Sequence, residues 1–428
     1  MNFDILHPAD QIIMIMQRIY GNGMTTTSGG NLSIIDENGD IWITPGGVDK
    51  GSLTRKDIIR VTKEGTVIGE HKPSIEFPFH KSVYDIRPDL KAVLHAHPPA
   101  LVAMSSVRKI PNLYIPPNVA PVCGKVGMAK YGLPGSDELG KKIADVFAEG
   151  MNTVMLENHG VVVGAINLFE AFKAFETLDF SARLELKANI ISRPKSLTPE
   201  QIDICKVKQQ VQLEEFEVDF YSTKEKEIRR EMSGLIHRAY NQQLFTSTQG
   251  TFSQRIDEKS FVITPYGVDR KYIEAEDLVR IENGEKEKGK KPSRSVLLHQ
   301  KIYEQQPHVN SIIIAHAPNI MAFATTDVDF DSRTIPESYL LLRDMPKLPF
   351  GDTFLETERV AGEFTKDVPV ILMKNDCIIA TGSKLIEAFD RLEVAEYSAK
   401  AIIASKSIGE IVSIEESHIE DIKIAFNL

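Results

Sequence analysis

Apolar and polar positions change period repeatedly along this chain, and the changes mark its elements. After Pro8, the residues Ile12, Ile13, Met16, Ile19 and Tyr20 recur at helical spacing, and the pattern stops at Gly21-Asn22-Gly23. This spacing predicts an amphipathic helix. Asn31 to Ile35 and Asp40 to Thr44 then read as two strands joined through Glu37-Asn38-Gly39, a hairpin signal. A helix is expected from about Glu76 to Ile86, followed by an apolar strand from Lys91 to His95. Another helix, a strand from Thr153 to Leu156, a turn and a strand from Val161 to Gly164 follow, before a long helix from Leu168 to Ile191. Hairpin strands flanked by helices predict an antiparallel or mixed sheet covered by helices.

The same series occurs twice. Thr44-Pro45-Gly46-Gly47-Val48-Asp49 returns as Thr264-Pro265-Tyr266-Gly267-Val268-Asp269, and Lys72-Pro73-Ser74 returns as Lys291-Pro292-Ser293. His80 and Tyr84 match His299 and Tyr303, Ala96-His97 matches Ala315-His316, and Leu168, Glu170, Ala171 and Phe172 match Leu385, Glu387, Ala388 and Phe389. Order is preserved and the offset drifts by only a few residues, so the chain reads as a tandem duplication. Ser192-Arg193-Pro194 through Pro199, followed by a charged, helix-like run to about Phe220, reads as the connector. The expected domains are residues 1–215 and 216–428.

Composition narrows the setting. The 428 residues carry 50 Lys and Arg against 60 Asp and Glu, a net charge of −10, which argues against nucleic acid or an anionic membrane as partner. No apolar run has the length of a membrane span. Cys123, Cys205 and Cys377 lie far apart with no CxxC, so neither a disulfide framework nor a thiolate metal site is expected, and a reducing cytoplasm fits. The run from Glu285 to Lys291 reads as a solvated loop. His7, His71, His80, His237, His299, His308 and His418 show no partner pattern and read as surface or core residues.

The chemistry-bearing positions concentrate in the first copy. In Leu94-His95-Ala96-His97-Pro98, the two imidazoles fall two apart on a strand and share one face. Glu157-Asn158-His159-Gly160 places a third imidazole at a turn between strands, and Pro73-Ser74-Ile75-Glu76 puts a carboxylate at a helix start. Three imidazoles with an open position make a zinc pattern that leaves room for substrate, and a nearby carboxylate supplies a base. Ser28-Gly29-Gly30-Asn31 and Thr44-Pro45-Gly46-Gly47 add backbone that a ligand can approach, while Ser74 adds a hydroxyl beside a helix N-terminus suited to an anion.

Gly-Gly-Asn-Leu-Ser, Ile-Thr-Pro-Gly-Gly, Pro-Ser-Ile-Glu, His-Ala-His-Pro and Glu-Asn-His-Gly occur in this order over residues 28–164. Together they resemble the class II aldolase/adducin-head family, over the whole first copy and more weakly over the second. The resemblance implies two three-layer α/β/α domains, each with a central, mostly antiparallel sheet. It implies His95, His97 and His159 as ligands of one Zn²⁺ per chain, with Mn²⁺ or Co²⁺ also accepted by three imidazoles. It implies Glu76 as the acid/base, Gly30, Asn31, Thr44, Gly47 and Ser74 around a substrate phosphate, and Tyr114 as a second catalytic group acting from a neighbouring subunit. Ile75 stands where the family's sugar-phosphate aldolases have a second Ser, which removes one hydroxyl from that pocket.

The implied activity is cleavage of a ketose phosphate to a dihydroxyacetone phosphate-type product and an aldehyde. An epimerase or dehydratase of the same family is the alternative, and a non-catalytic adducin-head-like binding module is the alternative of another class. The expected partners are a small sugar or sugar phosphate and a second copy of the chain, two chains making a pseudo-tetramer of domains. In the second copy His95 becomes Ile314, His159 becomes Asp376, Glu76 becomes Ser295 and Asn31 becomes Thr251, with only His316 retained. That copy is expected to be catalytically dead.

Overall fold

The computed structural model describes residues 3–207, 211–426 and 428. Packing divides the chain into unit 1, Met1–Leu113 with Asn118–Arg183, and unit 2, Tyr114–Pro117 with Leu184–Leu428.

Unit 1 is built on one sheet of eight strands: β1 (Asn31–Ile35), β2 (Ile41–Ile43), β3 (Ile59–Val61), β4 (Val67–Ile68), β5 (Ala92–Ala96), β6 (Val126–Ala129), β7 (Thr153–Leu156) and β8 (Val161–Ala165). Their order is β4-β3-β2-β1-β5-β8-β7-β6. Every pairing is antiparallel except that of β6 with β7. The helices are α1 (Pro8–Gly21), α2 (Phe77–Ile86), α3 (Pro99–Ser106), α4 (Val119–Cys123), α5 (Asp137–Ala148) and α6 (Leu168–Ile191), the last of which passes into unit 2 at Leu184. Alternation along β5 sends Val93 into a core with Phe79 and Val83 of α2 and Leu139, Ile143 and Phe147 of α5. Its neighbours Ala92, Leu94 and Ala96 are buried on the opposite face.

Unit 2 repeats this plan after α7 (Pro199–Val207). Its strands are β9 (Glu215–Phe216), β10 (Thr251–Arg255), β11 (Ser260–Ile263), β12 (Val279–Glu282), β13 (Glu285–Glu287), β14 (Ser311–Ala315), β15 (Lys347–Leu348), β16 (Val370–Met373) and β17 (Ile378–Gly382). The order is β15-β16-β17-β14-β10-β11-β12-β13-β9. Its helices include α8 (Thr223–Asn241), α9 (Val296–Gln305) and the closing helix Leu385–Ser405. The two faces of this sheet carry separate cores. Ile312 and Ile314 pack with Val296, Leu298 and Ile302 of α9, whereas Ile313 and Ala315 pack with Ile236 and Leu392 of α8 and the closing helix. Helices on both faces of a mostly antiparallel sheet give the three-layer α/β/α architecture expected from the sequence.

Two local expectations are corrected. The charged run after Pro199 does not continue as one helix. Among the described residues α7 covers Pro199–Val207, and Glu215–Phe216 is an edge strand paired in parallel with β13. The run from Glu285 to Lys291 is not a solvated loop. Asn283 and Gly284 both adopt positive φ (50° and 83°), the turn that folds a two-residue hairpin, and β13 follows. Strand alternation turns Glu287 inward, where Arg229 (2.9 Å), Lys290 (2.8 Å) and the Tyr221 hydroxyl (2.6 Å) compensate its buried charge. Among the described residues no helix is long and apolar enough to cross a membrane, and all three cysteines are free.

Candidate functional site

The end of β5, the β7–β8 turn and the start of α2 meet at one place in unit 1. His95 lies on β5 and is fully buried. His97 follows one residue past the strand. His159 is carried on the tight turn after β7, where Asn158 takes the left-handed conformation (φ 55°) that Asn tolerates better than most residues. Gly160 is required there, because a Cβ would stand 2.4 Å from the Ala96 carbonyl oxygen and 2.8 Å from the His97 ring. Glu76 is the N-cap residue of α2, at the positive end of the helix dipole.

The ligand nitrogens of His95, His97 and His159 all lie within 4.8 Å of one another. Among the described residues no other such group of three or more occurs. The His95 Nδ1–H donates to the Val161 carbonyl at 3.0 Å, which leaves the lone pair of Nε2 facing the cluster. His97 Nε2 is 3.0 Å from that same atom. Two imidazole nitrogens this close want either a proton or a cation between them. Burial first, then the neighbouring imidazoles, lowers His95 and His97 to about 3, and burial lowers His159. The trio is therefore neutral at pH 7 and available as ligands. Glu76 Oε2 is 3.4 Å from His95 Nε2 and Oε1 is 3.7 Å from His159 Nε2. Oε1 is buried and has no hydrogen-bond partner. The donor set and this open oxygen fit a divalent cation.

A buried relay holds the carboxylate. Asn31 Nδ2 donates to Glu76 Oε2 at 2.7 Å, and Asn31 Oδ1 accepts from His80 Nε2. His80 Nδ1 and the Tyr84 hydroxyl both bond Ser33 Oγ at 2.7 Å. Burial lowers His80 to about 3, so its neutral ring bonds Asn31 on one side and Ser33 on the other. His80 read from sequence as a residue without partners. The available signal was its return, with Tyr84, as His299 and Tyr303 in the second copy.

The expected phosphate residues fall on the adjoining hairpin. Gly30 and Gly47 have positive φ (73° and 71°). Thr44 Oγ1 accepts from the Leu32 amide, Ser74 N donates to the Thr44 carbonyl, and Ser74 Oγ accepts from the Glu76 amide. Lys50, which sequence reasoning passed over, is buried beneath this loop and donates to the carbonyls of Pro45 (2.6 Å) and Val48 (3.1 Å). Ile75 is 72% exposed, so no apolar side chain fills the place of the absent hydroxyl. Tyr114 is not part of this cluster. It belongs to unit 2, where its carbonyl accepts from the Leu197 amide.

The second copy keeps the frame and lacks the imidazole cluster. Thr251 pairs with Ile314 across β10 and β14, as Asn31 pairs with His95 across β1 and β5. Ser295 is the N-cap of α9, and Asn375, before Asp376, repeats the positive φ of Asn158 (54°). Tyr303 and His299 still bond Ser253 at 2.6 Å, but buried His299 Nε2 has no partner, because Thr251 has no amide to offer.

A profile described as Class II Aldolase and Adducin N-terminal domain matches residues 10–186 and 230–403. The chain is similar to a 5-deoxy-D-ribulose 1-phosphate aldolase of Bacillus thuringiensis serovar kurstaki, with 31% identity covering 45% of this chain and 91% of that protein. It is similar to a 3-oxo-tetronate 4-phosphate decarboxylase of Pectobacterium atrosepticum (32%; 41% and 81%) and to an L-fuculose phosphate aldolase of Methanococcus maripaludis (31%; 42% and 96%). A solved L-fuculose 1-phosphate aldolase matches at 30% identity and a TM-score of 0.42, over 47% of this chain and 95% of that one.

Proposed function

Because the chain belongs to the class II aldolase and adducin N-terminal domain family, we propose that its first repeat is a divalent-metal-dependent lyase. The reaction is cleavage of a carbon–carbon bond in a ketose phosphate, giving an aldehyde and a dihydroxyacetone phosphate-type product. The observation that carries this reading is Glu76: one oxygen is tied to Asn31 and lies 3.4 Å from His95, and the other is buried, without a hydrogen bond and 3.7 Å from the neutral imidazole of His159. A scaffold protein gains nothing from keeping a carboxylate oxygen buried without a hydrogen bond.

His95, His97 and His159 would hold the ion, Zn²⁺ by donor set, with Mn²⁺ or Co²⁺ as substitutes. Bound there, it supplies Lewis-acid polarisation of the substrate carbonyl and a counter-charge for the electrons released on cleavage. Glu76 Oε1 takes a proton from the substrate and returns it to the carbon left electron-rich. The Asn31 bond to Oε2 keeps the carboxylate from turning away during both transfers. Gly30, Asn31, Thr44, Gly47 and Ser74 form the phosphate end, with Thr44 and Lys50 fixing the loop whose amides and Ser74 hydroxyl face the anion. Tyr114, supplied by a second copy of the chain in a homo-oligomer, is the proposed partner of the hydroxyl that becomes the aldehyde oxygen, holding it by a hydrogen bond while its proton leaves to Glu76.

The test is a screen of ketose 1-phosphates with the metal-loaded protein, reading aldehyde release, beside metal analysis. One equivalent of metal per chain is expected, lost together with activity in His95→Ala. Glu76→Gln keeps the metal and loses about 10²-fold or more in turnover. Epimerisation of a pentulose 5-phosphate without aldehyde release overturns the reading. Release of CO₂ from a phosphorylated 3-oxo acid, without aldehyde, assigns the site to decarboxylation, the second reading favoured by the relative of that name.

A further inference from the structure

The second repeat has exchanged its metal ligands for something other than apolar filling. Where the first repeat has Asn31 and Glu76, it has Thr251 and Ser295, and with Ser293 these make a chain of hydroxyls. Thr251 Oγ1 lies 2.7 Å from Ser293 Oγ, which lies 3.0 Å from Ser295 Oγ. The chain sits at the start of the ten-residue helix α9, whose N-cap makes no side-chain capping bond. Two further exchanges fall beside it. Arg294 replaces Ile75, and Tyr266 replaces Gly46; the Arg294 guanidinium lies over the Tyr266 ring, 5.3 Å from its centroid. Among the described residues Arg294 has no carboxylate partner, although most arginines of this chain have one.

An independent observation points inward from the same place. His299 is fully buried and its Nε2 has no hydrogen-bond partner. Its counterpart, His80 Nε2, bonds the Asn31 side chain, which in turn bonds Glu76. His299 Nε2 is therefore aimed into the space vacated when Asn and Glu shortened to Thr and Ser. A buried nitrogen left in this condition is destabilising unless a ligand or water meets it. Asp376, at the sequence position of His159, is buried and accepts from Thr353 (2.8 Å), so that corner of the second repeat carries a carboxylate that favours hydroxyl groups in place of an imidazole.

We infer that the second repeat carries a metal-independent binding site for the phosphate ester of a small polyol. The phosphate lies on Arg294, the Ser293 and Ser295 hydroxyls and the start of α9, and the ester's own hydroxyls reach toward His299 and Asp376. No bond is made or broken there, because among the described residues no metal-ligand set remains in this repeat. The site stands whether or not the first repeat is a lyase, since none of its residues belongs to the His95 cluster.

The experiment is titration calorimetry of the full-length chain in excess chelator, with glycerol 1-phosphate, inorganic phosphate and glycerol as probes. Glycerol 1-phosphate is expected to bind at least about ten-fold more tightly than inorganic phosphate, and glycerol not to saturate. Arg294→Ile, which installs the first repeat's residue at an exposed position, weakens the ester by about ten-fold, the effect of losing a charge-assisted contact. Ser295→Glu, which restores the first repeat's carboxylate, abolishes this binding. His95→Ala leaves it unchanged, and Arg294→Ile leaves metal content and turnover at the first site unchanged. Binding of the ester that is no tighter than phosphate, or that ignores both Arg294→Ile and Ser295→Glu, overturns the inference.

Discussion

Asn31→Thr imposes on the first repeat the residue that the second already carries at the paired position, and its cost follows from the bonds it breaks. The substitution removes the 2.7 Å bond from Asn31 Nδ2 to the Glu76 carboxylate and the acceptor for His80 Nε2. A neutral bond contributes about 1 kcal/mol and one to a charged group about 2, so the loss is about 3 kcal/mol. A Thr hydroxyl at this position can bond Ser74 as Thr251 bonds Ser293, which recovers about 1 and leaves a net cost near 2 kcal/mol. The fold survives, since unit 2 maintains the same sheet with an orphaned His299. The assay uses Trp42, the chain's single tryptophan, which lies on β2 of unit 1 with its indole N–H bonded to Asp36. In chelator, urea denaturation followed by its fluorescence should show a midpoint lowered by about 1 M, taking a slope of about 2 kcal/mol per M. Turnover should fall by about 10²-fold, because Glu76 loses the restraint that aims its free oxygen. An unchanged midpoint together with full turnover would refute the claim that the relay carries weight in either stability or catalysis.

Gly29→Ala places a Cβ 3.0 Å from His97 Nδ1 and 2.9 Å from Thr26 Oγ1; it should weaken metal binding by about ten-fold or more, read by competition with a chromophoric chelator, while circular dichroism is unchanged. The metal-free protein should lose stability in mild acid. His80 and His95 are lowered from 6.5 to about 3 in the folded chain, so below pH 6.5 the unfolded chain binds protons that the folded chain refuses. Their contribution is complete above pH 6.5 and falls by about 1.4 kcal/mol per pH unit for each imidazole down to about pH 3. Urea midpoints at pH 7 and pH 5.5 measure this, and equal midpoints would show that the imidazoles are not held neutral.

The convergence of the three imidazoles and Glu76 was legible in the sequence because each position rests on a local rule. Strand alternation and short turns bring His95, His97, His159 and Glu76 to one end of the sheet, and the motif order fixes which strands lie side by side. What was not legible depends on pairings distant in the chain. His80 acquires its meaning only when β1 lies beside β5 and puts Asn31 between it and Glu76. Lys50 carries no signal of its own in the sequence, and its role follows only when the loop folds over it and offers the Pro45 and Val48 carbonyls. The Glu285–Lys291 run misled because charge outweighed the Asn283-Gly284 turn signal, and because the carboxylate of Glu287 is compensated by Arg229, 58 residues away in sequence. Tyr114 carries no local rule at all. Its surroundings come from residues beyond Leu184.

The segment Tyr114–Pro117 has a further consequence, for heredity. It is encoded in the first repeat, yet it is packed as part of unit 2, where Ile115 is 1% exposed and its carbonyl accepts from Asn375 at 2.9 Å. A gene that lost its second half would leave this isoleucine without a core, a penalty of about 2 kcal/mol before any catalytic loss. Separating the two repeats would therefore destabilise the one that carries the imidazole cluster.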